Sequence, residues 1–464
     1  MRRYLLLILT ITIPALLWGQ KYYSLTEKAS SKAKLLSIND VTVLIQPITE
    51  NNEAQKWLSF DTALNVIAAK KLVTPNAKNI IIQNYLEGEN KVIRIDQSII
   101  DDVFYVSAFV FDVEGNIIKK QEINLASAAK RKLSPTPFIV IQSPDKRVIS
   151  LIQMRRLTMD SILVSAISIN ENLATTTSSQ FQILFDENLE ELLTPLNDND
   201  GNIYILKADK FISYTLGSNF NVYTISAHER QPQPFRIAFS RKKLSDYHFQ
   251  LMDNNLHFSA LFSSGTKKLD LAGILYGKYN LHTQQLIVQK EKVFDDSFKT
   301  NLKKEFETQG HKGEITNYLI TLPHPTLLSK HISYGVLLPI AEKDKRPLPT
   351  KERYIVNNLL LLGSEGGHQF AKIKIPVDRY LQFFAYIPSA EQYSALHYYI
   401  TPLGKTRLKL TTINTDGVIT EKKFLENKNK VLINGFHHTI TANSLITFYQ
   451  EKNTGEMGLV MIKL

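Results

Sequence analysis

Residues 103–111 read Val-Phe-Tyr-Val-Ser-Ala-Phe-Val-Phe, and neither alternating set is polar. Val103, Tyr105, Ser107, Phe109 and Phe111 share one face of a strand; Phe104, Val106, Ala108 and Val110 share the other. Glu114-Gly115-Asn116 supplies a turn, and Ile117 opens a second strand. In a sandwich each sheet keeps one wet face, so its strands alternate. A strand apolar on both sides is covered on both sides. Residues 162–169 and 354–362 show the same two-sided pattern.

From Val41 onward, short runs rich in β-branched and aromatic residues follow one another. Examples are VTVLIQPI, PFIVIQS, SILVSAISI, NLHFSALFS and GLVMIKL. Turn signals separate them at Gly88, Gly115, Pro144-Asp145, Asp200-Gly201-Asn202, Asp253-Asn254-Asn255, Asp416-Gly417 and Thr454-Gly455. Residues 79–125, 137–185, 193–240 and 244–294 each hold four such runs, a period that suits a blade of four antiparallel strands. The pattern predicts an all-β chain, a β-propeller of about six to eight four-stranded blades over 41–464. Sheets stacked like spokes give every blade two covered faces.

One segment departs from the pattern. Over 295–310, Phe298, Leu302 and Phe306 recur at helical spacing, Asp295 and Asp296 suit the N-terminal end, and Gly310 suits the stop. A helical insertion is expected there, its aspartates capping the helix rather than acting as acid and base. A boundary between two β domains near 295–325 is the alternative organisation.

The first residues form a separate unit. Arg2 and Arg3 precede an apolar run from Tyr4 to Trp18, followed by Gly19 and a polar stretch. Residues 1–19 have the pattern of a secretory signal peptide cut after Gly19, and 20–40 read as a polar lead-in. The apolar run is shorter than the roughly 20 residues of a spanning helix, and no later segment supplies one. The expected location is the periplasm, the outer cell surface or the medium.

Composition narrows the chemistry. The chain has 464 residues, 44% hydrophobic and 21% charged, which excludes global disorder. It has no cysteine, so disulfides, thiolate metal sites and a lipid-bearing cysteine anchor are excluded. The net charge of +11 is scattered. Its densest run, residues 342–353, reads either as a solvated loop or as a contact for acidic glycans or lipid head groups. Nucleic acid is not an expected partner of an exported chain.

Catalytic motifs are scarce. Neither a His-Glu-x-x-His zinc motif nor a Gly-x-Ser-x-Gly elbow occurs. The most unusual polar stretch is Gly-Ser-Glu-Gly-Gly-His-Gln-Phe at 363–370. Ser364, Glu365 and His368 lie close there, and the glycines let backbone N–H groups approach a ligand. A hairpin turn explains the same residues. His437 and His438 point to opposite faces of a strand, which does not favour a shared metal. Residues 196–206 resemble a calcium loop, but Leu196 stands at the first ligand position and no Glu at the twelfth, so a β-turn is expected. His257 reads as a hydrogen-bonded sheet histidine. No metal or cofactor is expected.

DGNIYIL at 200–206, GILYGKYNLHTQQLIVQKEKVFDDSF at 273–298 and INTDGVITEKKFL at 413–425 resemble exported β-propeller proteins of Gram-negative bacteria, over about half the chain. The resemblance implies an exported propeller and brings no catalytic residues with it. Two functions are therefore carried forward. One is a non-enzymatic binding or scaffolding module for a protein or glycan partner. The other is a propeller hydrolase acting on glycans or peptides, which needs carboxylates or a Ser/His/Asp set converging from several blades.

Overall fold

Val103–Phe111 is the third strand of a four-stranded antiparallel sheet, and two different sheets cover its two faces. Phe104, Val106, Ala108 and Val110 pack with Ile149, Leu151 and Ile169 of the following sheet. Phe109 and Phe111 pack with Val43, Ile45 and Trp57 of the preceding one. The two-sided apolar pattern is thus the signature of a radial arrangement.

The computed structural model describes residues 20–464 except 26–32, 48–53, 75–78, 101–102, 124–135, 210–217, 227–233, 240–241, 253–254, 264–270, 298–331, 344–353, 365–366, 374–383, 389–391, 401–405, 415–417, 425–428, 434–438 and 442–443. The described residues form eight sheets, seven of them built only from strands adjacent in sequence. Blade 1 comprises Lys34–Ile38, Val41–Pro47, Ala54–Phe60 and Val66–Val73. Blade 2 comprises Ile80–Gly88, Lys91–Ile100, Val103–Phe111 and Ile117–Ile123. Blade 3 comprises Ile139–Gln142, Val148–Thr158, Ser161–Asn170 and Thr175–Leu184. In blade 4 the first strand is split into Glu190–Leu192 and Leu196–Asn197, both paired with Ile203–Asp209; Ser218–Ile225 and Pro234–Phe239 follow. Blade 5 comprises Lys243–Met252, Asn255–Ser263, Leu271–Asn280 and Gln285–Val293. Blade 6 is described as backbone over Ile332–Lys343, Tyr354–Ser364 and Gly367–Ile373. Blade 7 comprises Phe384–Pro388, Gln392–Ile400, Thr406–Asn414 and Ile419–Lys423.

Blade 8 closes the ring. Its first strand is again split, into Lys430–Leu432 and Thr439–Thr441, and Ser444–Glu451 and Met457–Lys463 follow. Its fourth strand is Lys21–Ser24, which pairs antiparallel with Met457–Lys463 through Lys21↔Met461 and Ser24↔Gly458. The stretch read as a polar lead-in therefore supplies two strands. Lys34–Ile38 pairs locally with Val41–Pro47, but the partner of Lys21–Ser24 lies near residue 460, beyond the reach of any local pattern.

The cores lie between blades. Leu35, Leu44, Leu58 and Phe60 of blade 1 meet Ile446, Phe448, Leu459 and Met461 of blade 8. Ile162, Val164 and Ile183 of blade 3 meet Ile203, Ile205 and Ile225 of blade 4. Phe220, Val222 and Phe239 of blade 4 meet Phe249, Phe258 and Leu275 of blade 5. Leu396, Tyr398 and Leu408 of blade 7 meet Leu445, Tyr449 and Val460 of blade 8. First strands of neighbouring blades touch one another, Lys34–Ile38 against both Ile80–Gly88 and Thr439–Thr441, which sets them innermost. Fourth strands such as Ile117–Ile123 are largely exposed and form the circumference. The chain is an eight-bladed β-propeller, the upper end of the expected count.

The two ends of the wheel differ. At one, the turn end, hairpins close through a recurring five-residue turn. Asp61 Oδ1 accepts from the N–H groups of Ala63 and Asn65, and Asn65 Nδ2 donates to Asp61 Oδ2, each at 2.8 Å. Asp112 and Asn116 repeat this arrangement, as do Asp198 and Asn202. The fourth residue is left-handed in each: Leu64, Gly115 and Gly201. Gly115 also lies flat on the Trp57 ring, where an added Cβ would come within 3.0 Å of Cγ. Trp57 Nε1 donates to Val113 O at 3.0 Å, tying blade 1 to the blade 2 turn.

The helix expected over 295–310 falls outside the described residues beyond Ser297; Asp296 and Ser297 are helical. The basic run at 344–353 also lies outside them.

Candidate functional site

The opposite, connector end carries the joins between blades and between second and third strands. Residues 124–138 lie between the described strands of blades 2 and 3, and residues 294–331 between those of blades 5 and 6; 124–135 and 298–331 are outside the described residues.

Second strands carry buried polar residues near this end: Gln46, Gln97, Gln153 and Lys207. A buried amide or ammonium must find partners. Gln97 grips Phe138 twice, Nε2 donating to the carbonyl at 2.8 Å and Oε1 accepting from the N–H at 2.7 Å. Gln153 Nε2 donates to Thr136 O from blade 3. Lys207 Nζ pairs with Glu190 at 2.7 Å and donates to Leu184 O at 3.0 Å. These side chains hold the ends of two connectors against the blade body.

Between blades 1 and 2 lies a denser polar network. Arg94 Nη2 meets Asp96 Oδ2 at 3.0 Å, both groups almost fully buried. The Arg94 guanidinium stands 4.4 Å from the Phe109 ring centre and 5.3 Å from that of Phe111. Gln83 Nε2 donates to Asp96 Oδ1 at 3.0 Å, Gln55 Nε2 donates to Gln83 Oε1, and the Tyr85 hydroxyl donates to Gln55 Oε1. Burial raises the Asp96 pKa against the pull of Arg94. Burial likewise pushes Tyr85 up to about 12, so its hydroxyl stays protonated at neutral pH. Hydrogen bonds link these side chains across the two blades, while Arg94 Nε is buried without a hydrogen-bond partner among the described residues. Sequence reasoning passed over the network, although Arg94 and Asp96 alternating with Val92, Ile93 and Ile95 were its signal.

The residues singled out from sequence fare differently. Ser364 and His368 lie on the paired strands Tyr354–Ser364 and Gly367–Ile373, through Ser364↔Gly367 and Gly363↔His368. Glu365 and the side chains of all three lie outside the described residues, as do His437 and His438. His257 is buried, its Nδ1 3.0 Å from the Tyr276 hydroxyl. Asp198 of the calcium-like loop is occupied by its own turn and by the Tyr204 hydroxyl, which donates at 2.9 Å. Those bonds use the carboxylate's acceptor capacity, which is the expected β-turn. Burial and the Asp198 charge together raise the Tyr204 pKa.

No protein-family model matches the chain, and no curated protein matches it. Among solved structures it is similar to the WD40 domain of SCAP from fission yeast, at 7% identity and a TM-score of 0.42 over 96% of this chain and 98% of that one. It is similar to the polysaccharide lyase Uly1 at 8% identity and a TM-score of 0.39, over 85% and 91%. The β-propeller domain of the Trilobed protease from Pyrococcus furiosus, of open velcro topology, gives 9% identity and a TM-score of 0.36 over 83% and 96%. At these scores the likenesses carry no inference about activity.

Proposed function

We propose that this chain is an exported, non-enzymatic binding or scaffolding module of the cell envelope, engaging a protein or glycan partner through the connector end. The supporting observation is the asymmetry between the ends. Five-residue turns close one, while the other carries the joins between blades, among them the stretch ending at Phe138 that leads into blade 3. Buried Gln97, Gln153 and Lys207 anchor connector ends there, so that variable segments stand on a rigid base. Ser364, Glu365 and His368 are the proposed contact residues from sequence.

The test is cross-linking of the exported protein in intact cells, followed by mapping of the cross-linked peptides. Cross-links to one partner concentrated in residues 124–138 and 294–331, and lost when 126–134 is replaced by a short Gly/Ser linker, support the reading. Turnover of peptide or glycan substrates by the purified protein, abolished by Ser364→Ala or His368→Ala, overturns it in favour of a hydrolase. Retention in the cytoplasm with residues 1–19 intact overturns the export reading.

A further inference from the structure

Sixteen large hydrophobic side chains are exposed among the described residues, and half of them form four pairs at one place in the fold. The pairs are Val66 and Ile67 in blade 1, Ile117 and Ile118 in blade 2, Leu286 and Ile287 in blade 5, and Val418 and Ile419 in blade 7. Their exposures run from 40% to 62%. Each pair stands at or beside the first residue of a fourth strand, so all four are on the circumference at the turn end. Neighbours on a strand point to opposite sides. Both are exposed because no strand lies beyond the fourth.

Cations follow the pairs. Lys70 and Lys71 are exposed on the blade 1 strand, Lys119 and Lys120 on that of blade 2, and Lys423 on that of blade 7. Lys70 and Lys119 also bond to Asn116 and Asn172, which leaves Lys71, Lys120 and Lys423 facing outward. Asp61 and Asp112 are taken up in their turns, Glu421 pairs with Lys409 at 2.5 Å, and Glu114 and Glu122 are exposed. Lysines on an outer strand also discourage strand-to-strand association. That purpose alone would place polar residues, not aliphatic pairs, beside the turns.

We propose that the turn end docks on an anionic lipid bilayer, the aliphatic pairs entering the headgroup region and the lysines meeting lipid phosphates. Blades 1, 2, 5 and 7 are spread around the wheel, so a protein partner seated on one patch meets one or two pairs. A flat surface across the axis meets all four. The net charge of +11 complements an anionic surface. The strand Lys21–Ser24 also starts at the turn end, and the apolar run ending at Trp18 lies just upstream of it. Docking there turns the connector end outward, and it stands whether or not the connector end binds a partner.

The experiment is co-sedimentation of the chain from Gln20 to Leu464 with vesicles of phosphatidylcholine alone and of phosphatidylcholine with phosphatidylglycerol. Sedimentation with the anionic vesicles, weakened by salt and reduced at least about tenfold in the combined Ile67→Ser, Ile118→Ser, Ile287→Ser and Ile419→Ser variant, is expected. Equal binding to both vesicles, binding to neither, or wild-type binding by the variant overturns the proposal. Concentration-dependent dimerisation without vesicles that the variant abolishes also overturns it, assigning the pairs to a second copy of this chain. Because the chain has no cysteine, an environment-sensitive dye on Ile118→Cys gives a second readout that leaves the other pairs intact. Its emission shifts to the blue on anionic vesicles, while the same dye on exposed Leu184→Cys, at the connector end, stays unchanged. The reverse result places the contact at the other end.

Discussion

Lys70 Nζ donates to Asn116 Oδ1 at 2.7 Å, from the outermost strand of blade 1 to the turn of blade 2. Lys21 makes the same bond to Asn65 at 2.8 Å, from blade 8 to blade 1, and Lys119 donates to Asn172 O at 2.7 Å, from blade 2 to blade 3. Lys21, Lys70 and Lys119 stand at equal intervals in the sequence. One latch therefore repeats around part of the wheel. A Lys70→Ala, Asn116→Ala double-mutant cycle, followed by urea unfolding, is expected to give a coupling of about 0.5 kcal/mol, as befits an exposed pair.

The seam is more sensitive. A Cβ on Gly458 would lie 2.2 Å from Tyr23 O and 2.5 Å from Tyr449 Cε1. Tyr23 belongs to the N-terminal strand, so Gly458→Ala forces that strand off Met457–Lys463. A loss of about 2–3 kcal/mol is expected, with faster hydrogen exchange at Tyr22 and Tyr23 as the local readout. Gly277→Ala should cost a similar amount, because its Cβ would sit 2.0 Å from Phe258 Cζ, yet it should leave exchange at the seam unchanged.

Asp198→Ala leaves the N–H groups of Asp200 and Asn202 and the buried Tyr204 hydroxyl without their acceptor. The expected cost is about 2 kcal/mol in urea unfolding. Added calcium is expected to leave wild-type stability unchanged, because the carboxylate is already engaged.

His397 is fully buried in blade 7, its Nδ1 3.0 Å from Tyr398 O and its Nε2 3.1 Å from Thr411 Oγ1. Burial is the largest cause that lowers its pKa to about 4. The unfolded chain, with a histidine pKa near 6.5, binds the proton first. Stability from this group is therefore complete above about pH 6.5 and lost as pH falls toward 4, by on the order of 3 kcal/mol. Asp96, raised by burial, contributes with the opposite sign as pH falls. The difference between wild type and His397→Gln in melts across pH 7 to 4.5 isolates the histidine: the wild-type loss should be the steeper.

Much of the architecture was legible along the chain. The expected blade at 244–294 is the sheet from Lys243 to Val293, and the two-sided strand at 103–111 is covered as predicted. What stayed hidden was non-local. Lys21–Ser24 looks like a polar leader because its partner lies more than 400 residues away in sequence. The recurring turn escaped notice because Leu64 takes the left-handed position that Gly115 and Gly201 advertise; the Asp-x-x-x-Asn spacing of Asp61, Asp112 and Asp198 was the better signal. Ser364, Glu365 and His368 were legible as an unusual hairpin, and the strand pairing bears out a hairpin there. The buried Arg94 and Asp96 network was not foreseen, since a charge in a strand reads as solvent-facing until its neighbours in space are known.

The strand Lys21–Ser24 finds its place beside Met457–Lys463, made more than 400 residues later. Until residues 457–463 have been made, the nascent chain is an open arc, and Leu44, Leu58 and Phe60 have no cover from Phe448, Leu459 and Met461. A product terminated early therefore keeps an oily flank that a finished molecule hides, and quality control by proteases or chaperones has a clear mark to recognise.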